Sequence, residues 1–226
     1  AECPVLLQEA ERRSSLIFLM GNILDAMNQE LKEDIGAPRV RDISPQLIGR
    51  VIALSNSLRP YRYLGSDSLV GRELSPERGY LLLAIVSSEI DKGSLRRIYR
   101  SADFSFSDLK NAVLSSEYLS GINLTGAELA GAHLDESDLS DANLSDADLS
   151  DAILTHATIT GARLRNTHLD RANLVLVNLS DANLSDADLR RANLTSADLS
   201  RAHFNRADLT NANLSYANLS KAAFEL

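Results

Sequence analysis

The chain has 226 residues, a formal net charge of −8 and a single cysteine. The single cysteine excludes an intrachain disulfide, and no apolar run reaches the roughly 18–20 residues that a membrane-spanning helix needs. The charge is uneven: residues 1–101 carry 14 Lys and Arg against 13 Asp and Glu, whereas residues 102–226 carry 9 against 18. The acidic second half argues against direct binding to the phosphates of a nucleic acid.

The first 101 residues predict a small helical domain. Apolar residues recur three and four apart between positions 5 and 34, which is typical of an amphipathic helix, and Gly36 and Pro38 end the pattern. Its apolar side either packs into a core or binds a partner. Ser44-Pro45 and Ser75-Pro76 each place a capping hydroxyl before a proline, so two further helices are expected to begin there.

The stretch from Leu58 to Leu64 lies between these two later helices and is both aromatic and basic. Two interpretations stay open for it. Its tyrosines could pack on the helices with their hydroxyls in water, as amphipathic rings usually do. Alternatively, the stretch could form a docking site for an acidic partner.

From Ala102 onward the sequence repeats every five residues without an insertion. The centre residues of the fives occupy position 104 and every fifth position to 224, which makes 25 units, and 21 of these centres are Leu. Ala stands two residues before the centre in 19 units, and Asp or Asn stands directly before it in 15. The centres that are not Leu are Phe104, Ile159, Phe204 and Phe224.

A period of five fits neither a helix nor a flat strand over many turns, but it fits a solenoid. The Ala and the Leu of each unit lie two residues apart, so in extended backbone both side chains point to the same side. The Asp, Asn, Ser and Gly residues at the other positions favour tight turns. Each unit is therefore expected to form one short side of a coil with a corner.

The units Ala142-Asn143-Leu144-Ser145-Asp146 and Ala147-Asp148-Leu149-Ser150-Asp151 resemble the pentapeptide-repeat family, whose motif is Ala-Asp/Asn-Leu-X-X. The resemblance implies a mainly β solenoid: a right-handed quadrilateral parallel β-helix with four units per coil. The 25 units would then form about six coils, or roughly 30 Å of rod. We expect an α-helical domain, residues 1–101, that caps the first coil, and a β-helix, residues 102–226.

With four units per coil, residues 20 apart should stack, and this spacing predicts a candidate interaction patch. Val175 and Leu176 are apolar at two positions that should face outward. Ile153 stands on the same side of the preceding coil, where Asp or Asn is usual. Because exposed apolar patches often mark interfaces, we predict that Ile153, Val175 and Leu176 contact a partner.

The half of the rod nearest the helical domain is predicted to carry a candidate acidic face. Lys and Arg are absent between Asn111 and Ala162. The residues assigned to this face are Glu128, Asp135, Glu136, Asp138, Asp141, Asp146, Asp148 and Asp151.

The far end of the rod suggests a third contact. Phe204 and Phe224 should stack one coil apart, and only Glu225 and Leu226 follow in the sequence. We predict an end-to-end contact through Phe224 and Leu226, which would form a homodimer through the C-terminal coil.

Catalytic chemistry has little support in the sequence. The histidines at 133, 156, 168 and 203 are not 20 apart, so they do not stack into a metal site. Neither a phosphate-binding Gly-rich loop nor a predicted cleft accompanies the many carboxylates. We therefore expect no enzyme, no catalytic residue, no metal site and no cofactor.

The sequence favours a non-enzymatic scaffold or protein–protein interaction module that presents a rigid, partly acidic rod to an unidentified protein partner. A second hypothesis follows from the resemblance, because the family includes DNA-mimicking proteins that bind DNA gyrase and protect it from quinolones. A third is the soluble part of a larger membrane-anchored bacterial protein. We expect a cytoplasmic location; since the chain does not start with Met, export or anchoring through segments absent from this chain is the alternative.

Overall fold

The computed structural model describes residues 4–33, 42–61 and 72–224. Four helices come first: α1 (Pro4–Glu33), α2 (Pro45–Ser57), α3 (Pro76–Ser87) and α4 (Lys92–Tyr99). Stacked coils follow from residue 104. Gly36 and Pro38, the predicted end of the first helix, lie outside the described residues, as do residues 62–64 of the basic aromatic stretch.

The two predicted caps are confirmed. Ser44 accepts a hydrogen bond from the backbone N–H of Leu47, and Ser75 accepts one from Arg78, each with proline at the start of the helix. The sequence reasoning missed α4, which begins after Asp91. The Asp91 carboxylate caps it by accepting hydrogen bonds from the next residues' N–H groups, those of Gly93 and Ser94.

The predicted right-handed, four-sided parallel β-helix is confirmed. Each unit pairs with the unit 20 residues later through a single parallel bridge, as Asp148 does with His168. The backbone N–H of Leu149 donates to His168 (2.7 Å), and that of Asp148 donates to Ala127 (2.9 Å). Six such steps separate residue 104 from residue 224, so the rod is about 29 Å long.

The inward side chains form a continuous core. Centre residues such as Leu144 and Leu154 and small residues such as Ala142 and Ala152 are fully buried, as the pattern of the fives predicts. Asn or Asp before the centre closes the turn, because its side-chain oxygen accepts a hydrogen bond from the N–H two residues on. This contact recurs along the rod, for example from Ser150 to Asp148 at 3.0 Å.

The helices cover the first coil and share its core. Ser75, the cap of α3, pairs in parallel with Ser107, and its N–H donates to the carbonyl of Phe106 at 2.7 Å. Tyr99 of α4 packs edge-on against Phe104, with ring centroids 6.1 Å apart. Buried residues of the helices and of the coils belong to one hydrophobic cluster. The division into two domains at residue 101 stays a prediction.

We number the sides of the rod by their centre residues. Side 1 contains residue 104 and every twentieth residue after it; side 2 begins at 109, side 3 at 114 and side 4 at 119. The residue two positions after each centre is called the corner residue. The corner between sides 3 and 4, the 3/4 corner, consists of Ser116, Glu136, His156, Leu176, Ser196 and Tyr216.

Candidate interaction surface

The corners of the coils share one unusual backbone conformation. Every corner residue from 106 to 221, comprising 20 non-glycine residues and four glycines, has a φ between +55° and +74°. This left-handed conformation costs an ordinary side chain roughly 1–2 kcal/mol, whereas Gly adopts it freely and Asn and Asp adopt it routinely. A bulky apolar residue at a corner therefore carries a backbone cost, which Phe106 offsets by packing its ring against Gly126 of the next coil.

Leu176 is a bulky apolar corner residue in the middle of the rod. It has a φ of +59° and its side chain is 47% exposed. Val175, directly before it, is half-buried, and so is Ile153. Ile153 pairs with Asn173, which is two residues before Val175. The structure thus brings the three residues of the predicted patch to side 3 and its corner on neighbouring coils.

The sequence analysis missed further apolar residues on this part of the rod. Tyr216 lies on the 3/4 corner two coils beyond Leu176, with a φ of +61° and 92% of its side chain exposed. Val113, which is also largely exposed, begins the ladder that continues through His133 to Ile153. All of them follow the 20-residue spacing, so the same spacing could have identified them from the sequence.

The predicted acidic face is wrong as a face. Its eight residues are distributed over sides 2, 3 and 4 and over all four corners, so they form a belt around the first half of the rod. Glu128 and Asp148 lie on side 2, Asp135 on side 3 and Asp138 on side 4. The corner residues among them are Glu136, Asp141, Asp146 and Asp151. The prediction grouped the acids by their position along the chain, but each unit of five residues turns the chain by a quarter of a coil.

The cations of the coils are more restricted than the acids. Within residues 104–224, every Lys and Arg lies on side 1, on side 2 or at a corner that borders one of these sides. Sides 3 and 4 and the 3/4 corner have none in this range. The nine cations are Lys110, Arg163, Arg165, Arg171, Arg190, Arg191, Arg201, Arg206 and Lys221.

Each of the other three corners carries an aspartate with an arginine stacked one coil later. The pairs are Asp151–Arg171, Asp181–Arg201 and Asp186–Arg206, each with two side-chain hydrogen bonds of 2.6–2.9 Å. The hydrogen bond from the arginine holds the pKa of each aspartate below its usual value. The 3/4 corner has no such pair, because the residue stacked one coil after Glu136 is His156. Leu176 therefore lies on a corner without cations, unlike the other three.

Two other surfaces that the sequence analysis considered lie partly within the described residues. Tyr61 donates a hydrogen bond to Glu77 at 2.8 Å and lies under the guanidinium of Arg13, so this tyrosine ties α1 to α3. Burial, followed by the neighbouring Glu77 carboxylate, raises the pKa of the Tyr61 hydroxyl. On α1, Ile17, Phe18 and Leu19 are exposed, so this helix does not bury all of its apolar side.

The last described coil has an aromatic centre residue. Phe204 and Phe224 are stacked with their ring centroids 5.0 Å apart, as predicted, and Phe224 is 53% exposed. Leu226 lies outside the described residues. The end-to-end contact through Phe224 and Leu226 stays a prediction.

We expect sedimentation equilibrium to show a dimer that dissociates when Phe224 is replaced by lysine. The Phe224→Lys change would place a charge in the stacked pair, and two such charges would face each other across a symmetric contact. The matched control is Tyr216→Lys, an exposed aromatic on a corner, which should leave the dimer intact. A monomer for the unmodified chain across the concentration range would contradict the prediction.

The structure also addresses metal and membrane sites. Among the residues it describes, His, Cys, Asp and Glu nowhere form a group of three or more that could hold a metal ion. In the same part of the chain, no helix has the length and apolarity to cross a bilayer.

The stacked coils define the second part of the chain as a parallel β-helical solenoid. Residues 118–155, 157–195 and 187–225 match the family of pentapeptide repeats, in eight copies. The coils therefore belong to the pentapeptide-repeat family, as the sequence motif predicts. No enzymatic family is indicated. No curated protein matches the chain.

Solved structures of other repeat proteins are similar to part of this chain. HetL, a pentapeptide repeat protein involved in heterocyst differentiation regulation from the cyanobacterium Nostoc sp. strain PCC 7120, is 36% identical, with a TM-score of 0.40. The match covers 54% of this chain and 59% of HetL. A pentapeptide repeat protein from the thylakoid lumen of Arabidopsis thaliana is 31% identical, with a TM-score of 0.37. The match covers 43% of this chain and 64% of the Arabidopsis protein. QnrB1, a plasmid-mediated fluoroquinolone resistance protein, is 21% identical over 53% of this chain and 75% of QnrB1, with a TM-score of 0.32.

The strain at Leu176 leads to a stability prediction. We expect the Leu176→Asn variant to be as stable as the unmodified protein or more stable by up to about 1 kcal/mol, because asparagine adopts the left-handed conformation at little cost. Urea denaturation measures the difference. The control is Leu174→Ala, two residues away, which removes a fully buried centre side chain and should cost about 2–5 kcal/mol. A loss at position 176 as large as that at 174 would show that Leu176 serves the core.

Proposed function

We propose that this chain is a non-enzymatic protein-binding module whose 3/4 corner, centred on Leu176, receives a protein partner. The observation that carries the proposal is a half-exposed leucine in a left-handed corner conformation. The side chain gains little burial there and the backbone loses free energy, so selection for folding alone disfavours it. An interface with a partner supplies the missing burial.

The rest of the rod supports this function by being rigid. Each coil is fixed to the next by a parallel bridge and a backbone hydrogen bond on every side, as in Leu154 to Asn173 at 2.8 Å. The helices join the first coil through Ser75, so the described part of the chain holds the corner at a fixed position relative to them. Such a scaffold loses little conformational entropy on binding.

In-cell photo-crosslinking tests the proposal. A photo-reactive phenylalanine analogue at position 176 or 216 should form one adduct of the same mass from both positions. The same analogue at position 146, on the corner diagonally opposite, is the matched control and should form none. Adducts of equal yield from all three positions, or from none of them, would contradict a binding surface at the 3/4 corner.

Mimicry of DNA is the second candidate, and the paired charges disfavour it. A mimic of duplex DNA needs unpaired negative charge along its length, about one per 1.7 Å. In the second half of the rod, Asp181 and Asp186 are each bonded to an arginine. We expect micromolar protein to leave the supercoiling activity of DNA gyrase unchanged, and strong inhibition would favour mimicry instead.

A further inference from the structure

We infer that the partner segment is basic as well as apolar. One of its cationic side chains meets the acids at the end of the 3/4 corner nearest the helices, while a bulky apolar side chain meets Leu176. This inference rests on the proposed function, because it names the chemistry of the partner at the same corner. Three observations carry it: the acids around Glu136, the lack of cations on sides 3 and 4, and the spacing along the corner.

Three acids lie together at the end of the 3/4 corner nearest the helices: Asp135 on side 3, Glu136 at the corner and Asp138 on side 4. Their hydrogen bonds come from neutral donors. Asp135 accepts from the Ser115 hydroxyl at 2.7 Å, and Glu136 from that of Ser116 at 3.4 Å. Asp138 accepts from a backbone N–H two residues on, at 3.0 Å.

The coils provide no countercharge for these acids; the cations of α4 that reach side 4, Lys92 and Arg96, contact Tyr118, one coil before Asp138. On the other three corners an aspartate is bonded to an arginine one coil later, but the position above Glu136 is occupied by His156. No Lys or Arg of residues 104–224 lies on sides 3 or 4 or at their shared corner. The surface around Leu176 therefore has acids near the helices and a further acid, Asp198, on side 4 in the next coil, with no Lys or Arg of the coils beside them, and a basic partner complements it.

The spacing along the corner fits a helical partner. Glu136 and Leu176 are two coils apart, which is about 9.6 Å at the usual spacing between paired strands. Positions i and i+7 of an α-helix are about 10.5 Å apart and lie on one face, whereas same-face residues of a strand are about 6.7 or 13.4 Å apart. Tyr216, two coils beyond Leu176, would meet position i+14 of the same helix.

This chemistry separates the partner from other classes of ligand. A nucleic acid would place phosphates against the three acids without a cation to receive them. A purely apolar partner would cover the acids without compensating their lost hydration. A short helix with a lysine and a leucine seven positions apart satisfies both ends of the corner.

Binding of two synthetic peptides, measured by fluorescence anisotropy, tests the inference. Both are stabilised helices of about four turns with leucines at positions that would meet Leu176 and Tyr216. One has lysine seven positions before the first leucine, and the other has glutamate there. We expect the lysine peptide to bind about tenfold or more tightly than the glutamate peptide at low salt, with a smaller ratio at high salt.

Variants of the protein locate the contact. Glu136→Asn should weaken the lysine peptide about three- to fivefold, in line with an exposed ion pair, and should not weaken the glutamate peptide. The matched control, Asp146→Asn, removes the same charge at a corner residue on the opposite corner and should change binding less than about twofold. Leu176→Asn should weaken both peptides about tenfold.

The outcomes separate the partner chemistry from the proposed function. If both peptides bind equally and Leu176→Asn weakens both, the basic partner is wrong while the apolar corner stands as the binding surface. If Asp146→Asn and Glu136→Asn weaken the lysine peptide equally, the contact is not at this corner, and the inference fails. Absence of binding for both peptides at about 1 mM also overturns it, and the crosslinking comparison then decides the proposed function by itself.

Discussion

Replacement of Arg78 by methionine should lower the free energy of unfolding by about 3 kcal/mol, because it leaves buried hydrogen-bond acceptors without their donor. The Arg78 side chain is 5% exposed and forms an ion pair of 2.7 Å with Asp103. Burial lowers the pKa of the Arg78 guanidinium, and the neighbouring carboxylate opposes that shift. Methionine fills a similar volume, so the loss measures the missing charge and hydrogen bonds.

The contacts of Arg78 explain why the effect should be large. Its guanidinium donates to the carbonyl of Ser105 at 2.7 Å and to the hydroxyl of the same residue at 2.9 Å. It also donates to the carbonyl of Ser55, at the end of α2. One side chain thus joins α2, α3 and the first coil, and its removal leaves several buried acceptors without donors.

Urea denaturation followed by circular dichroism measures the effect. The matched control is Arg97→Met, because Arg97 pairs with Asp42 in an exposed ion pair that should contribute less than about 1 kcal/mol. Equal losses in the two variants would show that Arg78 does not hold the helices to the coils.

Replacement of Gly79 by alanine should cost about 3 kcal/mol or more, at the upper end of what overpacking usually costs. A Cβ atom at this position would overlap the carbonyl oxygen of Asp108 and lie 3.1 Å from its carbonyl carbon. Both groups are backbone, so neither can turn aside as a side chain could. Helix α3 would have to withdraw from the first coil and weaken the hydrogen bond between Ser75 and Phe106.

Gly49 provides the control for this substitution. It lies on an exposed side of α2, and a Cβ atom there would have nothing within 4 Å. The Gly49→Ala variant should be more stable by up to about 1 kcal/mol, because alanine is the better helix former. Opposite signs for the two glycines are expected in thermal or urea denaturation. A neutral effect at Gly79 would mean that α3 and the first coil are not in close contact in solution.

The repeat could be predicted from the sequence because its information is local. One side is encoded in five residues, and Asn143 or Asp148 closes its own turn through the N–H two positions on. Short-range rules also identified Ser44 and Ser75 as caps. The stacking of residues 20 apart then followed from four sides per coil, and the three patch residues were placed correctly on that basis.

The junction between helices and coils could not be predicted in this way. The pairing of Ser75 with Ser107 joins residues 32 positions apart in sequence, and nothing in either local pattern specifies it. Helix α4 has only eight residues, too short for a clear apolar period. The belt of acids was misjudged for a different reason, because charge counted along the chain ignores the quarter turn between consecutive units.

Because each coil contains four units, the residue number of a surface position determines the side or corner on which it lies. An insertion of 20 residues would lengthen the rod by about 4.8 Å and leave every later residue on its own side. An insertion of five would rotate the whole later surface by a quarter turn and carry Leu176 to a corner that presently bears arginines. Between Glu136 and Leu176, an insertion of five residues would therefore place the two on different corners, and an added whole coil would lengthen their separation to about 14 Å.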